Sequence, residues 1–397
     1  MKILFISLGC DKNLVDTEVM LGLLASKGYE MTDDERQADI IVINTCCFIH
    51  DAKEESINTI LEMAQYKEQN LKALVVAGCL AERYKDEILK EIPEIDAVLG
   101  TTSYDSIVEA VNTALEENTG EHFEHYESID YLPDNSEVER VVTTGNHMAY
   151  LKIAEGCDKR CSYCIIPKIR GRFRSVPMQE LLNEAKRLAS EGVKELVLVA
   201  QETTLYGKDL TGEKQLPLLL HELCKIEGIE WIRLLYCYPE EITDELIKVI
   251  KTEEKVCNYI DMPIQHSENR ILQRMGRRTS REDLVAVIKK LRKEIPDITI
   301  RTTLITGFPG ESQEDHEGLM NFVEECQFDR LGVFTYSPEE DTPAAAMPDQ
   351  VPEAVKKERS EKLLALGHRM SGEFRRYYLG RQVTALLEEE FLYDGKR

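Results

Sequence analysis

Apolar runs alternate with amphipathic stretches in the first part of the chain. Four of these runs read as buried strands, and segments of helical periodicity separate them. The strands are expected at residues 2–7, 39–45, 73–77 and 97–99. Strands that alternate with helices pair in parallel through right-handed crossovers. The pattern therefore predicts an open parallel α/β sheet domain over residues 1–117.

The pattern changes twice after this domain. Residues 118–142 contain many acidic residues, Gly120 and Pro133, and no sustained apolar period, which predicts an interdomain linker. Alternation then resumes, with strands expected near residues 150–154, 195–200, 231–237, 259–262, 299–306 and 332–336. Six βα units followed by a long charged helix at 353–377 predict a partial (β/α)6 barrel over residues 143–375.

Length, charge and cysteine usage narrow the class of protein. A chain of 397 residues exceeds one ordinary hydrophobic core. It has no run of about 20 apolar residues and no export signal, so we expect a cytoplasmic protein without a membrane span. Its eleven cysteines would then bind metal or do redox chemistry rather than form disulfides. The net charge of -24 disfavours a nucleic-acid partner and suits either a basic protein partner or solubility alone.

Cys157, Cys161 and Cys164 form a Cys-x3-Cys-x2-Cys loop after the first strand of the predicted barrel. Three thiolates can hold a 4Fe-4S cluster with one iron left open, whereas a structural zinc site requires four ligands. An open iron can chelate S-adenosylmethionine and deliver the electron that cleaves it to a 5'-deoxyadenosyl radical. The alternatives are a zinc knuckle or incidental thiols.

A second group of cysteines is spread along the first domain. Cys10, Cys46 and Cys79 each stand at or just after the carboxyl end of a predicted strand. These ends share one edge of a parallel sheet, so the three thiols could converge on a second cluster. Chance burial is the alternative, because free cysteine packs like a small apolar residue. Cys47 adjoins Cys46 as a spare thiol that could compete for the iron or hold a sulfur intermediate, and we expect core positions for four others: Cys224, Cys237, Cys257 and Cys326.

The cysteines and their flanks resemble the radical S-adenosylmethionine methylthiotransferases over nearly the whole chain. The matching stretches are Ser7-Leu8-Gly9-Cys10-Asp11-Lys12-Asn13 with Asp16 and Glu18, Asn44-Thr45-Cys46, Ala77-Gly78-Cys79, Gly156-Cys157 through Cys164-Ile165-Ile166-Pro167, and Arg170-Gly171. The resemblance implies a transferase with two 4Fe-4S clusters: a radical cluster on Cys157, Cys161 and Cys164, and an auxiliary cluster on Cys10, Cys46 and Cys79. Two molecules of S-adenosylmethionine are then used, one as methyl donor and one cleaved to the radical.

Short sequence motifs distinguish two branches of this family. Leu8-Gly9-Cys10-Asp11-Lys12-Asn13, Pro263-Ile264-Gln265-His266-Ser267, Val199 to Thr204 and Tyr336 to Glu340 are similar to the RimO-type branch. That branch methylthiolates the β-carbon of an aspartate in ribosomal protein S-twelve, free or on the small subunit. It also needs an electron donor and a sulfur donor. The other branch, which modifies a transfer-RNA adenosine, stays as the alternative, as does an electron-transfer or scaffold protein without a substrate.

Several barrel residues are candidates for binding the cofactor. Tyr163 stands where radical S-adenosylmethionine enzymes carry an aromatic residue. Gln201 or Glu202 is expected to receive the amino group of S-adenosylmethionine, and Arg301 its carboxylate. Gly307 and Gly310 would let the backbone approach the adenine. Surface or packing roles are equally open for each, and no catalytic residue is identified.

Two further segments carry expectations: a basic loop after Cys164 and the residues after Gly380. The basic loop of Lys168, Arg170, Arg172 and Arg174 is expected either to receive an acidic segment or to balance cluster charge. After Gly380, residues 382–387 read as a β-like run. By resemblance, residues 376–397 are the start of a C-terminal TRAM β-barrel domain, and the chain is expected to be truncated within it.

Overall fold

The apolar runs near the N-terminus form one parallel sheet, as predicted. The strands are β1 (Lys2–Ser7), β2 (Glu30–Met31), β3 (Ile40–Thr45), β4 (Ala73–Gly78), β5 (Ala97–Leu99) and β6 (Phe123–His125). Their order across the sheet is β2-β1-β3-β4-β5-β6, and every adjacent pair is parallel. The computed structural model describes residues 1–116, 122–145 and 147–388.

Helices cover both faces of this sheet, which explains why β3 and β4 are apolar along their whole length. Alternate strand residues pack on α1 (Asp11–Ala25) and α5 (Ile107–Leu115) in one core cluster. The intervening residues face the other way and pack on α2 (His50–Ala64), α3 (Cys79–Arg83) and α4 (Ile88–Glu91). A core cluster therefore covers each face of the sheet.

Part of the segment predicted as a linker belongs to the sheet. Phe123–His125 pairs in parallel with β5 and forms the sixth strand. Three residues with a charged centre are too short to produce a period-2 signal, so the sequence pattern did not reveal this strand. Residues 118–121 of the predicted linker lie outside the described residues.

The second half of the chain has the alternation of a partial barrel. β7 (Met148–Lys152) precedes a short antiparallel pair, β8 (Ala154–Glu155) and β9 (Arg174–Ser175). Five further strands follow, at β10 (Glu195–Val199), β11 (Trp231–Leu234), β12 (Tyr259–Asp261), β13 (Thr299–Thr306) and β14 (Arg330–Thr335). Two three-stranded sheets, β11-β10-β7 and β12-β13-β14, contain the six barrel strands. The loops after β11 and β12 meet where the Cys237 amide donates to the Asp261 carbonyl at 2.8 Å.

Helices separate these strands as the pattern predicted. They are α6 (Ile166–Ile169), α7 (Met178–Ser190), α8 (Lys208–Thr211), α9 (Leu216–Cys224), α10 (Asp244–Thr252), α11 (Asn269–Arg274), α12 (Arg281–Glu294), α13 (Gln313–Cys326) and α14 (Glu353–Arg376). Capping boxes at Ser280 and Ser312 fix the starts of α12 and α13. Within the described ranges, none of the helices combines the length and apolar character that crossing a membrane requires.

The chain forms two compact units. One comprises Met1–Thr143, Lys152–Val176 and Ser337–Ala345, and the other comprises Thr144–Leu151, Pro177–Tyr336 and the residues from Ala346. The segment that contains Cys157, Cys161 and Cys164 therefore folds with the N-terminal sheet. All six candidate cysteine ligands lie in the first unit.

The β-like run after Gly380 does not form a strand. Residues 382–387 have no regular structure, and Val383 and Leu387 are exposed. A strand requires a partner for its backbone N–H and C=O groups, and these residues have no such pairing. The strand expected there is thus wrong for this chain. The TRAM assignment of residues 376–397 stays a prediction, and residues 389–397 lie outside the described part.

Candidate functional site

Three cysteines occupy the carboxyl edge of the N-terminal sheet. Cys10 directly precedes α1, Cys46 follows β3, and Cys79 begins α3 after β4. The strand order reverses between β1 and β3, because the chain passes from β1 to β2 on one side and then to β3 on the other. Open α/β sheets bind ligands outside the carboxyl ends of the strands at such a reversal. Cys10 and Cys46 flank this point, and Cys79 stands one strand further along.

The structure brings these three thiols together. A Cβ atom at Gly9, the residue before Cys10, would stand 2.8 Å from Cys46 Sγ. Burial raises the pKa of the Cys46 thiol, and the nearby Cys10 thiol adds to the rise. Burial also raises the pKa of Cys79 well above its usual value; Arg170 opposes this, while Cys47, Cys46 and Cys10 add to it. The thiols of Cys10, Cys46 and Cys79 therefore lie close enough to interact at this edge, and Cys47 lies near them.

The donor chemistry of these cysteines fits an iron–sulfur cluster. Among the residues that the structure describes, no three His, Cys, Asp or Glu side chains are gathered as they would be around one metal ion. A cubane cluster carries one iron at each ligated corner, so its thiolates stand farther apart than ligands of one ion. Thiolate is also the donor that iron–sulfur clusters select. The thiols of Cys10, Cys46 and Cys79 suit such a cluster in their donor chemistry.

A glycine directly precedes three of the six candidate ligands. Gly9, Gly78 and Gly156 have φ of 91°, 92° and 77°, a region that favours glycine. A Cβ at Gly78 would meet Asn44 Oδ1 at 2.3 Å, and one at Gly156 would meet the Arg172 carbonyl oxygen at 2.0 Å. Each glycine thus lets the chain turn sharply into the following cysteine. The repeated Gly-Cys pair is a signal for these sites that the sequence already contained.

The loop with Cys157, Cys161 and Cys164 runs from β8 to α6. The Cys157 amide donates to the Gly171 carbonyl at 3.1 Å, and the Cys164 amide to the Cys161 carbonyl at 3.0 Å. Cys157 and Cys161 are buried, whereas Cys164 and the adjacent Tyr163 are half-buried. Ile165 and Ile169 pack into the core cluster that also contains Cys79. This packing anchors the loop on the N-terminal sheet.

Replacing Gly156 by alanine is expected to displace this loop. The new Cβ would collide with backbone at Arg172, which cannot rotate away, and the positive φ alone costs about 1–2 kcal/mol. We expect a loss of unfolding free energy larger than this conformational cost, together with loss of iron from the loop. Urea denaturation and iron analysis after anaerobic reconstitution measure the two effects.

Gly212→Ala is the matched control for this change. Gly212 has a similar φ of 83°, but a Cβ there meets nothing within 4 Å. It should lower stability by the conformational cost alone and keep all bound iron. Equal effects of the two substitutions would contradict the steric argument.

Cys47 is buried in the same core cluster as Cys79. Its Sγ donates to the Cys79 carbonyl at 3.0 Å, it is fully buried, and burial raises its pKa to about 12. The assignment of Cys46 rather than Cys47 as the ligand at the end of β3 stays a prediction. Of the four cysteines expected in the core, Cys237 and Cys326 are buried, while Cys224 and Cys257 are half-buried.

Gln201 and Glu202 follow β10, at the carboxyl end of a barrel strand. Glu202 is fully buried, and its Oε1 accepts hydrogen bonds from the backbone N–H of Thr204, at 3.0 Å, and from the Thr204 hydroxyl. Gln201 is half-buried. The carboxylate of Glu202 therefore shapes its own turn, and binding of an amino group by either residue stays a prediction.

Arg301 lies on β13 and is paired within the protein. Its Nη1 contacts Asp261 Oδ1 on β12. Burial acts to lower the pKa of the guanidinium, but the nearby Asp261 carboxylate outweighs burial, so the pKa is raised. Asp261 Oδ2 also accepts the Tyr236 amide at 3.0 Å. One arm of Arg301 is thus occupied, so a two-armed contact to a cofactor carboxylate would have to displace Asp261. The carboxylate contact stays a prediction.

Gly307 and Gly310 are tightly packed against protein groups. A Cβ at Gly307 would meet Lys356 Cγ at 2.3 Å, and one at Gly310 would meet the guanidinium carbon of Arg274 at 3.0 Å. The Gly307 amide donates to Glu311 Oε2 at 2.7 Å. Packing within the protein accounts for both glycines. The adenine contact predicted for them has no separate support from this geometry.

The four basic residues after Cys164 have different environments. Lys168 and Arg172 are exposed, and Arg174 lies 3.6 Å from Asp130. Arg170 is buried and contacts Asp16 at 2.8 Å and Glu155 at 3.1 Å. The sequence did not distinguish Arg170 from its neighbours, because its partners lie far apart along the chain. The pKa of the Arg170 guanidinium is raised despite its burial, because four groups act on it: Cys79, Glu155, Asp16 and Cys10. The side chain of Arg170 therefore belongs to the cysteine edge.

Comparison with known proteins gives two family matches and many close relatives. Residues 2–100 match the uncharacterized protein family UPF0004, and residues 151–323 match the radical SAM superfamily. A protein of Lachnoclostridium phytofermentans named ribosomal protein uS12 methylthiotransferase RimO is 61% identical, over 100% of this chain and 89% of its own length. A protein of the same name from Clostridium perfringens is 53% identical, over 98% and 86%.

Solved structures with the same fold are more distant in sequence. The radical S-adenosylmethionine methyltransferase TsrM of Kitasatospora setae has a TM-score of 0.62 and 14% identity, over 86% of this chain and 76% of that one. The radical enzyme OxsB has a TM-score of 0.56 and 14% identity, over 94% and 56%. At this identity the likeness concerns the fold alone, and it agrees with an α/β protein that contains a radical SAM barrel.

Proposed function

Since this chain belongs to the RimO family of ribosomal protein uS12 methylthiotransferases, we propose how its own residues carry out that reaction. It is a radical S-adenosylmethionine enzyme that methylthiolates uS12, the S-twelve protein of the small ribosomal subunit. Cys157, Cys161 and Cys164 hold one 4Fe-4S cluster, and Cys10, Cys46 and Cys79 hold a second. The modified atom is the β-carbon of an aspartate.

The main support for two clusters is the placement of the cysteines. Three thiols from separate loops meet at the switch point of the N-terminal sheet, in the same compact unit as the 157–164 loop. A 4Fe-4S cluster on three thiolates leaves one iron open and, at the 157–164 loop, supplies the electron that cleaves S-adenosylmethionine. Cys46, Cys79, Cys157 and Cys161 are buried, which limits the access of water to both groups.

The roles of the chain's residues follow from their positions. Gly9, Gly78 and Gly156 turn the backbone so that the following thiols face the clusters. Tyr163 lies beside the half-buried Cys164, where the loop meets solvent and a cofactor can enter. Gln201 or Glu202 follows β10, and Gly307 and Gly310 follow β13, so these residues contact S-adenosylmethionine at the carboxyl ends of barrel strands. Arg301, near the start of β13, binds its carboxylate. A sulfur donor and an electron donor complete the reaction.

Charge supports a basic protein as the substrate. The chain carries a net charge of -24, which attracts a basic ribosomal protein and repels free nucleic acid. Because uS12 is made and assembled in the cytoplasm, we place the enzyme there. Nucleic acid is involved only as part of the ribosomal subunit.

A direct assay tests this function. The chain is reconstituted anaerobically with iron and sulfide, reduced, and incubated with S-adenosylmethionine and intact uS12. We expect a methylthio mass gain on one aspartate of uS12, together with release of 5'-deoxyadenosine. Mass spectrometry of uS12 and chromatography of the nucleoside measure the two products. A transfer RNA incubated in parallel is the control substrate and should stay unmodified.

Each other outcome has a definite meaning. Modification of the transfer RNA instead of uS12 would contradict the substrate. Release of 5'-deoxyadenosine without any modified macromolecule would support the radical cleavage of S-adenosylmethionine but not uS12 as the substrate. If neither product forms although iron is fully bound, the proposed reaction is wrong.

A further inference from the structure

Four buried charged side chains form a network beside the cysteine edge. Arg170 Nη1 lies 2.8 Å from Asp16 Oδ2 and 3.1 Å from Glu155 Oε2. Lys152 Nζ contacts Asp16 Oδ1 and lies 3.0 Å from Glu155 Oε2. All four residues are at most 7% exposed. Two cations and two carboxylates therefore face one another inside the protein, and burial keeps their interactions strong.

The network joins the two cysteine-bearing regions of the first unit. Asp16 lies on α1, which begins directly after Cys10. Glu155 ends β8, just before Gly156 and Cys157. Arg170 follows α6, at the other end of the same loop. The ion pairs thus connect the chain around Cys10 to both ends of the 157–164 loop.

Asn13 extends this connection to the loops that carry the three thiols of the sheet edge. Its Oδ1 accepts a hydrogen bond from Arg170 Nη2 and lies 3.9 Å from Cys79 Sγ. Its Nδ2 donates to the Leu8 carbonyl at 2.9 Å and to the Thr45 carbonyl at 2.8 Å. Leu8 lies just before Gly9-Cys10, and Thr45 lies directly before Cys46. One carboxamide therefore ties Arg170 to the loops of Cys10, Cys46 and Cys79.

We propose that Arg170 is a positioning residue that sets the reduction potential of the cluster held by Cys10, Cys46 and Cys79. This inference rests on the proposed function, because it requires a cluster at these cysteines. Reduction adds one negative charge to a cluster, and a nearby fixed cation stabilises the reduced form. The guanidinium cannot lose its proton, so this contribution is permanent. Asp16 and Glu155 act in the opposite direction and limit it.

Substitutions in the network should shift this potential with opposite signs. Arg170→Gln removes the cation and leaves Lys152 facing two carboxylates, so the midpoint potential should fall. Asp16→Asn removes one carboxylate, so the potential should rise. We expect at least a tenfold change in the reduction equilibrium for each, which is about 59 mV for a one-electron couple. Arg170→Lys keeps the charge but loses the second arm to Asn13, so its midpoint potential should stay closer to that of the unchanged chain than the potential of Arg170→Gln does.

The experiment is a redox titration of the reconstituted full chain followed by electron paramagnetic resonance. The relevant signal is the one that persists in Cys161→Ala, where the other cluster is lost. Arg172→Gln is the matched control, because Arg172 lies in the same loop and its side chain is 83% exposed. It should leave the midpoint potential unchanged.

The signs of the shifts decide between an electrostatic and a merely structural role. Unchanged potentials in Arg170→Gln and Asp16→Asn, or shifts of both in the same direction, would overturn the proposal. If Arg170→Gln does not assemble the cluster, Asp16→Asn decides alone: a rise supports the proposal and no change rejects it. If Cys161→Ala has no cluster signal at all, the two-cluster function itself is wrong and the inference falls with it.

Discussion

Cys161→Ala is expected to abolish both cleavage of S-adenosylmethionine and methylthiolation of uS12. Cys161 is buried in the middle of the 157–164 loop, and its carbonyl accepts the Cys164 amide. Two remaining thiolates cannot hold a cubane that needs three protein ligands. Iron per chain should fall from about eight atoms to about four, because the second cluster is held elsewhere. Both product assays should drop to the level without enzyme.

Cys257→Ala is the matched control for this loss. Cys257 is a half-buried cysteine of the other unit, outside both groups. Its removal should leave iron content and both products unchanged. Retention of S-adenosylmethionine cleavage by Cys161→Ala would show that the radical cluster has other ligands than those proposed.

Cys79→Ala should separate the two halves of the reaction. The substitution removes one of three thiols at the sheet edge, so the cluster held there is lost while the 157–164 loop keeps its own. We expect release of 5'-deoxyadenosine to persist and methylthiolation of uS12 to fall below detection. Iron should again fall to about four atoms per chain. Iron analysis, nucleoside chromatography and the mass of uS12 together distinguish this result from simple unfolding.

Cys47→Ala provides the control at the same edge. The Cys47 thiol is as buried as that of Cys79, but it donates a hydrogen bond to the Cys79 carbonyl. Its loss should leave both clusters and both products in place. If Cys47→Ala rather than Cys79→Ala loses the iron and the methylthio product, the proposed ligand set is wrong and Cys47 is a ligand.

The sequence pattern was sufficient for the order of elements. Long buried strands such as β3 and β4 are apolar throughout because both of their faces are covered, and this is visible without a structure. The same is true of the 157–164 loop, whose candidate ligands are neighbours along the chain. Short edges were less predictable: β6 has three residues, and the β-like run at 382–387 lacks the partner that a strand needs.

Contacts between distant parts of the chain were decided only by the tertiary structure. Gly307 reads as a site for close approach of a ligand, yet the atom that excludes a Cβ belongs to Lys356 on α14. Arg301 reads as a free carboxylate-binding group, yet it pairs with Asp261 on the neighbouring strand. In both positions the residue type indicated the need for a partner without indicating which one.

By itself, the sequence determined the alternation of strands and helices, the six cysteines and the family, because periodicity and spacing are local properties of a chain. The tertiary structure decided that Cys10, Cys46 and Cys79 share one edge, that the 157–164 loop folds with the N-terminal sheet, and that Arg170 is buried beside them. The physical reason is that burial and charge pairing depend on groups more than a hundred residues apart, as Arg170 and Asp16 are. Such pairs leave no trace in local pattern.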